Sequence, residues 1–300
     1  MSRWKKIGKI FEPQGRGDWM VTHAMVPTVY QVHGNSVRVY FSGRDQENRS
    51  QIGFFEFDVT NPFKILRISE KPVLHIGELG CFDDNGVTPS WIVAHQDKLY
   101  LYYIGWNRKS TVRMSLIAGL AVSTDKGETF TRYSRAPLLS RTNAEPLAIL
   151  TGPCVLIDEK VWKMWYVSGT AWVNPDLPKY NIKYAESDDG IHWRREGVVC
   201  IDFKSPEEHA LARPCVLKEN GLFKMWYSYK GSDYRIGYAE SLDGIHWTRM
   251  DDQAGIDVST SGWDSQMIEY ACVFNHQGKK YMLYNGNNYG ADGIGLAQEI

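Results

Sequence analysis

The sequence repeats itself with a period of about sixty residues. YAESDDGIHWRR (Tyr184–Arg195) and YAESLDGIHWTR (Tyr238–Arg249) are nearly identical, and LAVSTDKGETFTR (Leu120–Arg132) follows the same pattern. A matching apolar run precedes each of these segments and also occurs near both ends of the chain, and its copies align on Pro27, Pro89, Pro153, Pro214 and Ala271. Such self-similarity indicates a repeat architecture, so one structural unit is predicted to occur five times.

Each copy is typical of four short strands. In the fourth copy, a run such as PCVL is followed by a polar turn, an aromatic run, a third run IGYAES and a fourth, HWTRM. Four antiparallel strands form one blade of a β-propeller. The last copy stops after its third strand, and residues 2–13 supply the missing one, with Trp4 in the place of Trp193 and Trp247. The sequence therefore predicts an all-β, five-bladed β-propeller in a single domain over residues 1–300, with the N-terminal strand completing the last blade.

The aromatic content, which includes 11 Trp and 17 Tyr, divides into repeating and non-repeating residues. Repeating aromatic side chains are expected to pack blade against blade; in the second strands they are Phe41, Tyr102, Trp165, Trp226 and Tyr284. Cys154, Cys215 and Cys272 are likewise equivalent and are interpreted as small packing residues. The non-repeating aromatic residues are candidates for substrate contact: Trp106, Trp172, Trp263, Tyr270 and Tyr289.

Charge and motifs exclude several classes of protein. Lys and Arg number 34 against 35 Asp and Glu, which argues against a nucleic-acid binder with a globally basic surface. No apolar run is long enough for a membrane span or a signal peptide, and five cysteines without CxxC spacing favour free thiols in a cytoplasmic protein. The absence of spaced metal or nucleotide motifs leads to no predicted metal site and no cofactor.

One face of the predicted propeller carries the segments that differ between copies. The starts of the first strands and the connections between second and third strands share this face around the pore. These connections are SGRDQENRSQ (Ser42–Gln51), GWNRKS (Gly105–Ser110), SGTAWVNPDLPKYN (Ser168–Asn181), YKGSDYR (Tyr229–Arg235) and NGNNYGADG (Asn285–Gly293). Residues that vary while the scaffold repeats are candidates for a binding site.

Segments spanning almost the whole chain, including VPTVY, FSGRDQENRSQIG, FDDNGVTPS, ARPCV and GWDSQM, carry a family resemblance. The chain resembles the propeller glycosidases of glycoside hydrolase families 43, 32, 62 and 130. It is most similar to an uncharacterised bacterial group often associated with surface-polysaccharide gene clusters. The resemblance implies a carbohydrate-active enzyme that cleaves or transfers a glycosyl group, as a glycosidase, phosphorylase or transferase. In family 43 the catalytic base and acid precede the proline of the first and third blades, positions that here hold Val26 and Thr151.

Other carboxylates are therefore needed for acid/base chemistry, which pairs a proton donor with a group that activates the nucleophile. Glu269, which lies two residues before Ala271, is the predicted catalytic acid or base, together with Asp84 or Asp45. Arginine forks bind carboxylate or phosphate, so a ring of arginines predicts an anionic sugar. The predicted substrate-binding residues besides the aromatic ones are His23, Arg44, Arg49, Asp83, Thr88, Thr151, His209, Arg213, Arg235 and Asp264.

Two alternatives remain open from the sequence. Besides an enzyme with carboxylate acid/base chemistry, the first alternative is an enzyme that acts on a nucleotide-activated or anionic sugar by another mechanism. The second alternative is a non-catalytic carbohydrate-binding propeller. The predicted partner in each case is a carbohydrate or sugar-nucleotide, and the sequence does not indicate an oligomeric state.

Overall fold

The computed structural model describes residues 3–13 and 17–300, without the side chains of residues 31–33. Its first strands are β1 (Trp4–Phe11), β2 (Thr22–His33), β3 (Ser36–Arg44), β4 (Ser50–Asp58), β5 (Asn61–Ile68), β6 (Gly86–His95), β7 (Lys98–Arg108), β8 (Met114–Ser123), β9 (Thr131–Arg132) and β10 (Ile149–Asp158). The remaining strands are β11 (Val161–Asn174), β12 (Leu177–Ser187), β13 (Val199–Ile201), β14 (Ala210–Glu219), β15 (Leu222–Lys230), β16 (Tyr234–Ser241), β17 (Thr248–Arg249), β18 (Glu269–His276), β19 (Lys279–Asn285) and β20 (Ile294–Glu299). A 3-10 turn (Asp251–Gln253) and a short helical turn, α1 (Asn287–Gly290), are the helical elements of the described residues.

Antiparallel pairing divides these strands into consecutive units. Unit 1 is β2–β5, unit 2 is β6–β9, unit 3 is β10–β13 and unit 4 is β14–β17; unit 5 is β18–β20 together with β1. A few parallel contacts join consecutive units, from β4 to β6, β8 to β10 and β12 to β14. The prediction of an all-β chain is confirmed, and so is the pairing of the N-terminal strand with the last repeat, since β1 lies antiparallel to β20. Residue 2 of the predicted strand lies outside the described residues.

Hydrophobic clusters form between neighbouring units. An aromatic or aliphatic face of one unit packs on the next, for example where Tyr40 of unit 1 contacts Phe130 of unit 2 and where Trp226 of unit 4 contacts Trp4 of unit 5. One cluster also joins Cys272 and Leu283 of unit 5 to Phe55 of unit 1. Each unit therefore buries its faces against two neighbours, and most of the repeating aromatic residues form these contacts.

A ring of hydrogen bonds links the first strands of the units. The residue after each proline position, or after Ala271 in unit 5, has a small polar side chain that bonds to the backbone of the following unit: Thr28, Ser90, Cys154, Cys215 and Cys272. Ser90 donates to the carbonyl of Pro153, and the N–H of Val216 donates to Cys154 Sγ at 3.3 Å. The last bond runs from the N–H of Val29 to Cys272 and returns to unit 1. The three equivalent cysteines are thus buried thiols that accept hydrogen bonds.

The strand register corrects one predicted equivalence. Cys154 pairs with Trp165, and Cys272 pairs with Leu283. Leu283 is therefore the equivalent of Trp165, so the prediction that grouped Phe41 and Tyr284 with Trp165 is wrong by one residue. A bulge before the paired cysteine shifts the register in both hairpins, and the spacing of the sequence letters does not reveal it.

A buried acid, a tyrosine and a cation recur together in several units. In unit 2, Asp83 accepts hydrogen bonds from Tyr103 at 2.9 Å and Arg132 at 2.7 Å. In unit 5, Asp264 accepts from Tyr284 at 3.0 Å, and the cation is Lys6 of β1, at 2.7 Å. The corresponding groups are Glu145, Tyr166 and Arg195 in unit 3, and Asp251, Tyr227 and Arg249 in unit 4. The contact tethers loops to the fourth strand and is part of the scaffold.

Among residues 3–13 and 17–300, no helix has the length and apolar character that crossing a bilayer requires.

Candidate functional site

A cavity of about 550 Å³ opens where the first strands begin and where the second and third strands connect. This is the face on which the sequence repeats diverge. All five units contribute, from Arg44 in unit 1 to Tyr289 in unit 5. A volume in this range suits a small-molecule ligand the size of a short saccharide.

The charged side chains that line the cavity are mostly cationic. Within the described part of the chain, Asp176 is the one carboxylate of the lining. None of the lining cations forms an ion pair with a described carboxylate. These cations are Arg44, Arg108, Arg113, Arg213 and Lys230. Cations without paired carboxylates in a concave site attract an anionic ligand.

Arg44 and Lys230 project into the cavity with neutral partners. Arg44 donates to Asn48 Oδ1 at 3.0 Å, and its other terminal nitrogen lies 3.3 Å from Met25 Sδ. Burial lowers the pKa of Arg44 from its ordinary value. Lys230 donates to the Tyr289 hydroxyl at 2.6 Å and lies over the Tyr234 ring. Both cations therefore keep donors for a bound anion.

Arg213 closes the inner end of the cavity. Its side chain is 3% exposed and donates to the carbonyl of Pro27 at 3.0 Å and to Thr28 Oγ1 at 3.1 Å. These hydrogen bonds join unit 4 to unit 1. Arg213 also contributes a positive charge at the inner end of the cavity.

Glu269 lies behind the tyrosines of the cavity wall. It is fully buried at the start of β18, and neither carboxyl oxygen has a hydrogen-bond partner among the described residues. Burial raises the pKa of the Glu269 carboxyl well above its usual range. The charge of Glu269 also contributes to raising the pKa values of Tyr180, Tyr234 and Tyr270, which places these lining phenols close to it. A buried carboxyl with a raised pKa beside a cavity is a candidate proton donor.

Left-handed backbone recurs at the positions that precede the proline, where the first strands enter the cavity. Val26, Gly152, Arg213 and Tyr270 occupy equivalent positions, and their φ angles lie between 52° and 58°. Left-handed backbone is uncommon for non-glycine residues and is an outlier for β-branched valine. All four residues line the cavity, which is where such strain is usually retained for function.

Eight of the predicted substrate-binding residues come together in this lining. They are Arg44, Thr88, Trp106, Thr151, His209, Arg213, Tyr270 and Tyr289. Burial lowers the pKa of His209 from its ordinary value, which favours a neutral imidazole. Thr151 is 4% exposed, and its hydroxyl has no described partner.

The other predicted carboxylates do not line the cavity. Asp45 accepts hydrogen bonds from the backbone of Glu47 and from the side chain of Arg49. The two predicted site residues Asp45 and Arg49 therefore bind each other within one turn. Asp84 accepts from Asn107 at 2.7 Å and from the N–H of Gly80 at 2.9 Å. Asp83 and Asp264 belong to the recurring contact of acid, tyrosine and cation.

The remaining predicted residues also have structural surroundings. Trp263 stacks on Tyr284 with ring centroids 5.3 Å apart. Arg235 donates to the carbonyl groups of Tyr234 and Gln266, and Trp172 pairs with Pro178 in the β11–β12 hairpin. His23 lies next to the strand pair of Thr22 and Arg44, and burial, with a smaller effect of Arg44, lowers its pKa to about 4.

Sequence reasoning missed part of the lining. Arg108, Asp176, Tyr180, Lys230 and Tyr234 lie in the connections that were singled out, but they were not chosen individually. The aliphatic side chains Met114, Leu116, Ile149 and Val167 gave no signal, because they look like ordinary strand residues in the sequence. No three His, Cys, Asp or Glu side chains of the described residues converge in a way that suits a metal ion.

No family model matches the sequence. The chain is 42% identical over 295 residues to "Uncharacterized protein MT1551" of Mycobacterium tuberculosis (strain CDC 1551 / Oshkosh), with 98% of each chain covered. The same identity and coverage hold for "Uncharacterized protein Rv1502" of Mycobacterium tuberculosis (strain ATCC 25618 / H37Rv). The chain belongs to the family of these two proteins.

Solved structures similar to this family member are glycoside hydrolases. One described as "Glycoside hydrolase" has a TM-score of 0.76 at 19% identity, with 98% of this chain and 90% of that chain covered. A thermostable family-43 glycoside hydrolase gives 0.67 at 17% identity, with coverage of 96% and 91%. The GH32 beta-fructofuranosidase BmSUC1 of Bombyx mori gives 0.63 at 16% identity, with coverage of 93% and 62%. The predicted resemblance is confirmed at the level of fold: the chain has the β-propeller fold of these hydrolases.

Proposed function

We propose that this protein is a carbohydrate-active enzyme that cleaves or transfers a glycosyl group in the cavity, with Glu269 as the proton donor. The observation that carries the proposal is the fully buried Glu269 carboxyl, unpaired beside the lining tyrosines. A carboxyl whose pKa is raised by burial holds its proton to higher pH and can protonate the leaving oxygen of a glycosidic bond. The likeness in fold to glycoside hydrolases supports the same chemistry.

Glu269 lies one layer behind the cavity surface. Proton transfer to a bound sugar therefore requires either a shift of the neighbouring tyrosines or a relay through a tyrosine hydroxyl. Tyr180 and Tyr234 already share a hydrogen bond of 2.8 Å between their hydroxyl groups. Asn288 and Tyr289 both have left-handed backbone in α1, so the segment that carries Tyr289 is strained next to Lys230.

The substrate we propose is an anionic glycoside. Arg44 and Lys230 face the cavity without carboxylate partners among the described residues, and charge-assisted bonds to a carboxylate or phosphate would use their remaining donors. Such a ligand fits the predicted sugar acid, sugar phosphate or nucleotide-linked sugar. A role in bacterial surface-polysaccharide metabolism agrees with this chemistry and remains a prediction.

Among the described residues, the one carboxylate of the cavity lining is Asp176, in the turn between β11 and β12, whereas Asp45, Asp83 and Asp84 are hydrogen-bonded outside the lining, so no second carboxylate lies beside Glu269 to activate water. This favours a second candidate function, in one of two forms. Either an anion such as phosphate accepts the glycosyl group, or the substrate is a glycosyl phosphate whose phosphate is the leaving group. An anionic acceptor needs cations to hold it and no general base, which agrees with the cavity. The unpaired cations are the specific observation for this alternative.

The experiment is a turnover screen with acidic glycosides and nucleotide sugars, each with and without added phosphate, read by mass spectrometry. For the substrate that reacts, Glu269→Gln is expected to lower kcat by about 10²–10⁴, the usual contribution of a general acid. Glu159→Gln, in an exposed hairpin turn, is the matched control and should retain full activity. Binding of a glycan without any turnover, unchanged in Glu269→Gln, would instead indicate a carbohydrate-binding propeller.

We further propose that units 1–5 form a closed five-bladed propeller and one domain over residues 1–300. Two observations support this: the hydrogen-bond ring returns from Cys272 to unit 1, and a hydrophobic cluster joins unit 5 to unit 1. The predicted absence of nucleic-acid partners and the predicted cytoplasmic location stay predictions; five free cysteines agree with a reducing compartment.

A further inference from the structure

One side of the cavity is an apolar wall formed by neighbouring strands of units 2 and 3. Trp106 of β7 pairs with Leu116 of β8, and Leu116 pairs with Ile149 of β10. Val167 of β11 pairs with Thr151 of β10, which also lines the cavity. We define the apolar wall as Ile104, Trp106, Met114, Leu116, Ile149, Val167 and Leu177, all of which line the cavity.

This apolar wall offers little to a sugar hydroxyl group. Its one polar side-chain group, the Trp106 indole N–H, already donates to Thr88 Oγ1 at 3.2 Å. A sugar hydroxyl pressed against aliphatic carbon loses its bonds to water without replacement, at a cost of about 1–3 kcal/mol. An unsubstituted, fully hydroxylated sugar ring is therefore a poor match for this side of the cavity.

Two cationic side chains of the lining, Arg44 and Lys230, come from other units than the apolar wall. Arg44 belongs to unit 1, Lys230 to unit 4, and Tyr270 with Glu269 to unit 5. Units 2 and 3 are consecutive in the pairing order, so the apolar wall comes from units other than those of Arg44, Lys230 and Glu269. Units 2 and 3 also contribute Arg108 and Arg113, at the connection between β7 and β8, and Arg108 pairs there with Met114 of the apolar wall.

We propose that the ligand is an acidic glycoside with an apolar substituent, such as a deoxy-sugar methyl, an O-methyl or a short acyl group, that lies against the apolar wall. This rests on the proposed function, because it takes the occupant to be a glycoside. Arg213 closes the inner end of a cavity of about 550 Å³, which leaves room for a small substituent and not for a long lipid chain. The acidic group then lies with Arg44 and Lys230.

The test uses isothermal titration calorimetry with methyl, butyl and hexyl glucuronides and the matching neutral glucosides as probes. Affinity is expected to rise about fourfold for each methylene that becomes buried, until the apolar wall is covered. Each glucuronide should bind more tightly than its glucoside, and Arg44→Gln should remove that difference while keeping the dependence on chain length.

Two variants place a polar group in the apolar wall. Val167→Thr keeps the shape of a buried side chain. Met114→Gln changes a partly exposed side chain, so this variant is expected to fold even if Val167→Thr does not. Both should flatten the dependence on chain length, whereas Val199→Thr, at a valine 43% exposed in unit 3, should not. The inference is overturned if no probe binds at millimolar concentration, if affinity is independent of chain length, or if neither variant changes it.

These outcomes separate the inference from the proposed function. Glucuronide binding without a chain-length effect removes the apolar subsite and leaves acid catalysis by Glu269 intact. A clear chain-length effect in a protein that turns over no glycoside, with or without phosphate, supports the subsite and rejects the catalytic proposal.

Discussion

At the scale of single residues, Glu269 is the side chain whose surroundings differ most from those of an ordinary carboxylate. It is fully buried, no described group bonds to its oxygens, and the nearby Lys230 only partly offsets the burial. A carboxyl in such surroundings destabilises the folded state whenever it must ionise. The presence of an unpaired carboxyl at this buried position therefore favours a functional role over a contribution to stability.

The raised pKa of Glu269 predicts an unusual dependence of stability on pH. The folded state keeps the Glu269 proton while the unfolded state loses it, so the contribution is full below the unfolded pKa and is lost as the pH rises toward the folded value. Glu269→Gln removes this loss. Relative to wild type, the variant should gain about 1.4 kcal/mol in unfolding free energy per pH unit between the unfolded pKa of about 4.3 and the raised folded pKa, above which the difference stays constant.

Urea unfolding of both proteins at pH 5 and pH 7 measures this difference. An equal stability difference at the two pH values would show that Glu269 ionises normally in the folded state. The Glu159→Gln control, which changes an exposed glutamate in a hairpin turn, should show no such trend.

The sequence indicated Glu269 because it lies two residues before Ala271, at the start of a first strand that is predicted to face the pore. The same reasoning placed Asp83, which precedes the second blade, among the substrate-binding residues. Asp83 is neutralised by Arg132 and Tyr103, which lie 49 and 20 residues away in the chain. Such partners depend on how a fourth strand packs against its own unit, which spacing alone does not reveal.

At the scale of elements, the recurring contact of acid, tyrosine and cation explains how β1 replaces a missing fourth strand. Lys6 takes the position that Arg132 holds in unit 2, and it donates to Asp264 at 2.7 Å. A glycine of the third strand faces the tyrosine, Gly119 opposite Tyr103 and Gly295 opposite Tyr284. A Cβ at Gly119 would collide with the Tyr103 ring, and a Cβ at Gly295 would collide with the ring of Trp263, which stacks on Tyr284. The repeat is thus enforced by polar contacts as well as by the apolar core.

Lys6→Met is expected to destabilise the protein by about 2 kcal/mol. Removing one member of a buried ion pair typically costs about 3–5 kcal/mol, and the effect is reduced here because the Lys6 side chain remains 23% exposed. Chemical denaturation measures the change. Lys5→Met, at the exposed neighbouring position, should alter stability by less than about 0.5 kcal/mol, and an equally small effect at Lys6 would contradict the prediction.

The elements themselves were predictable from the sequence, because alternating apolar runs and Asp-Gly turns recur with a constant period. The apolar wall was not. Leu116 and Ile149 are strand residues like their core neighbours, and only the parallel contact between β8 and β10 brings them together at the cavity. The local hydrophobic pattern of the sequence identifies strands, whereas the residues that line a cavity depend on which units pack against each other.

At the scale of the whole molecule, β1 is expected to hold the ends of the chain together. It covers the edge of β20, and Trp4 packs edge-on against Trp226 of unit 4 with ring centroids 6.1 Å apart. Deleting residues 1–13 would expose this strand edge and this core face, and exposed edges promote aggregation. The truncated protein should lose thermal stability and solubility.

Adding a synthetic peptide of residues 3–13 in trans should restore the melting temperature, because an added strand can complete an exposed sheet edge. A peptide of the same composition in scrambled order is the control. Thermal denaturation with each peptide measures the recovery, and a truncated protein as stable as the full chain would show that β1 is dispensable.

The hydrogen-bond ring provides an internal reporter of unfolding kinetics. Cys154, Cys215 and Cys272 lie at three successive junctions between units and are buried, whereas Cys81 is partly exposed. A thiol-alkylating reagent would modify Cys81 first, and modification at each buried sulfur would require its own junction to separate. Peptide mapping of a labelling time course would therefore resolve, junction by junction, whether the units part together or one after another.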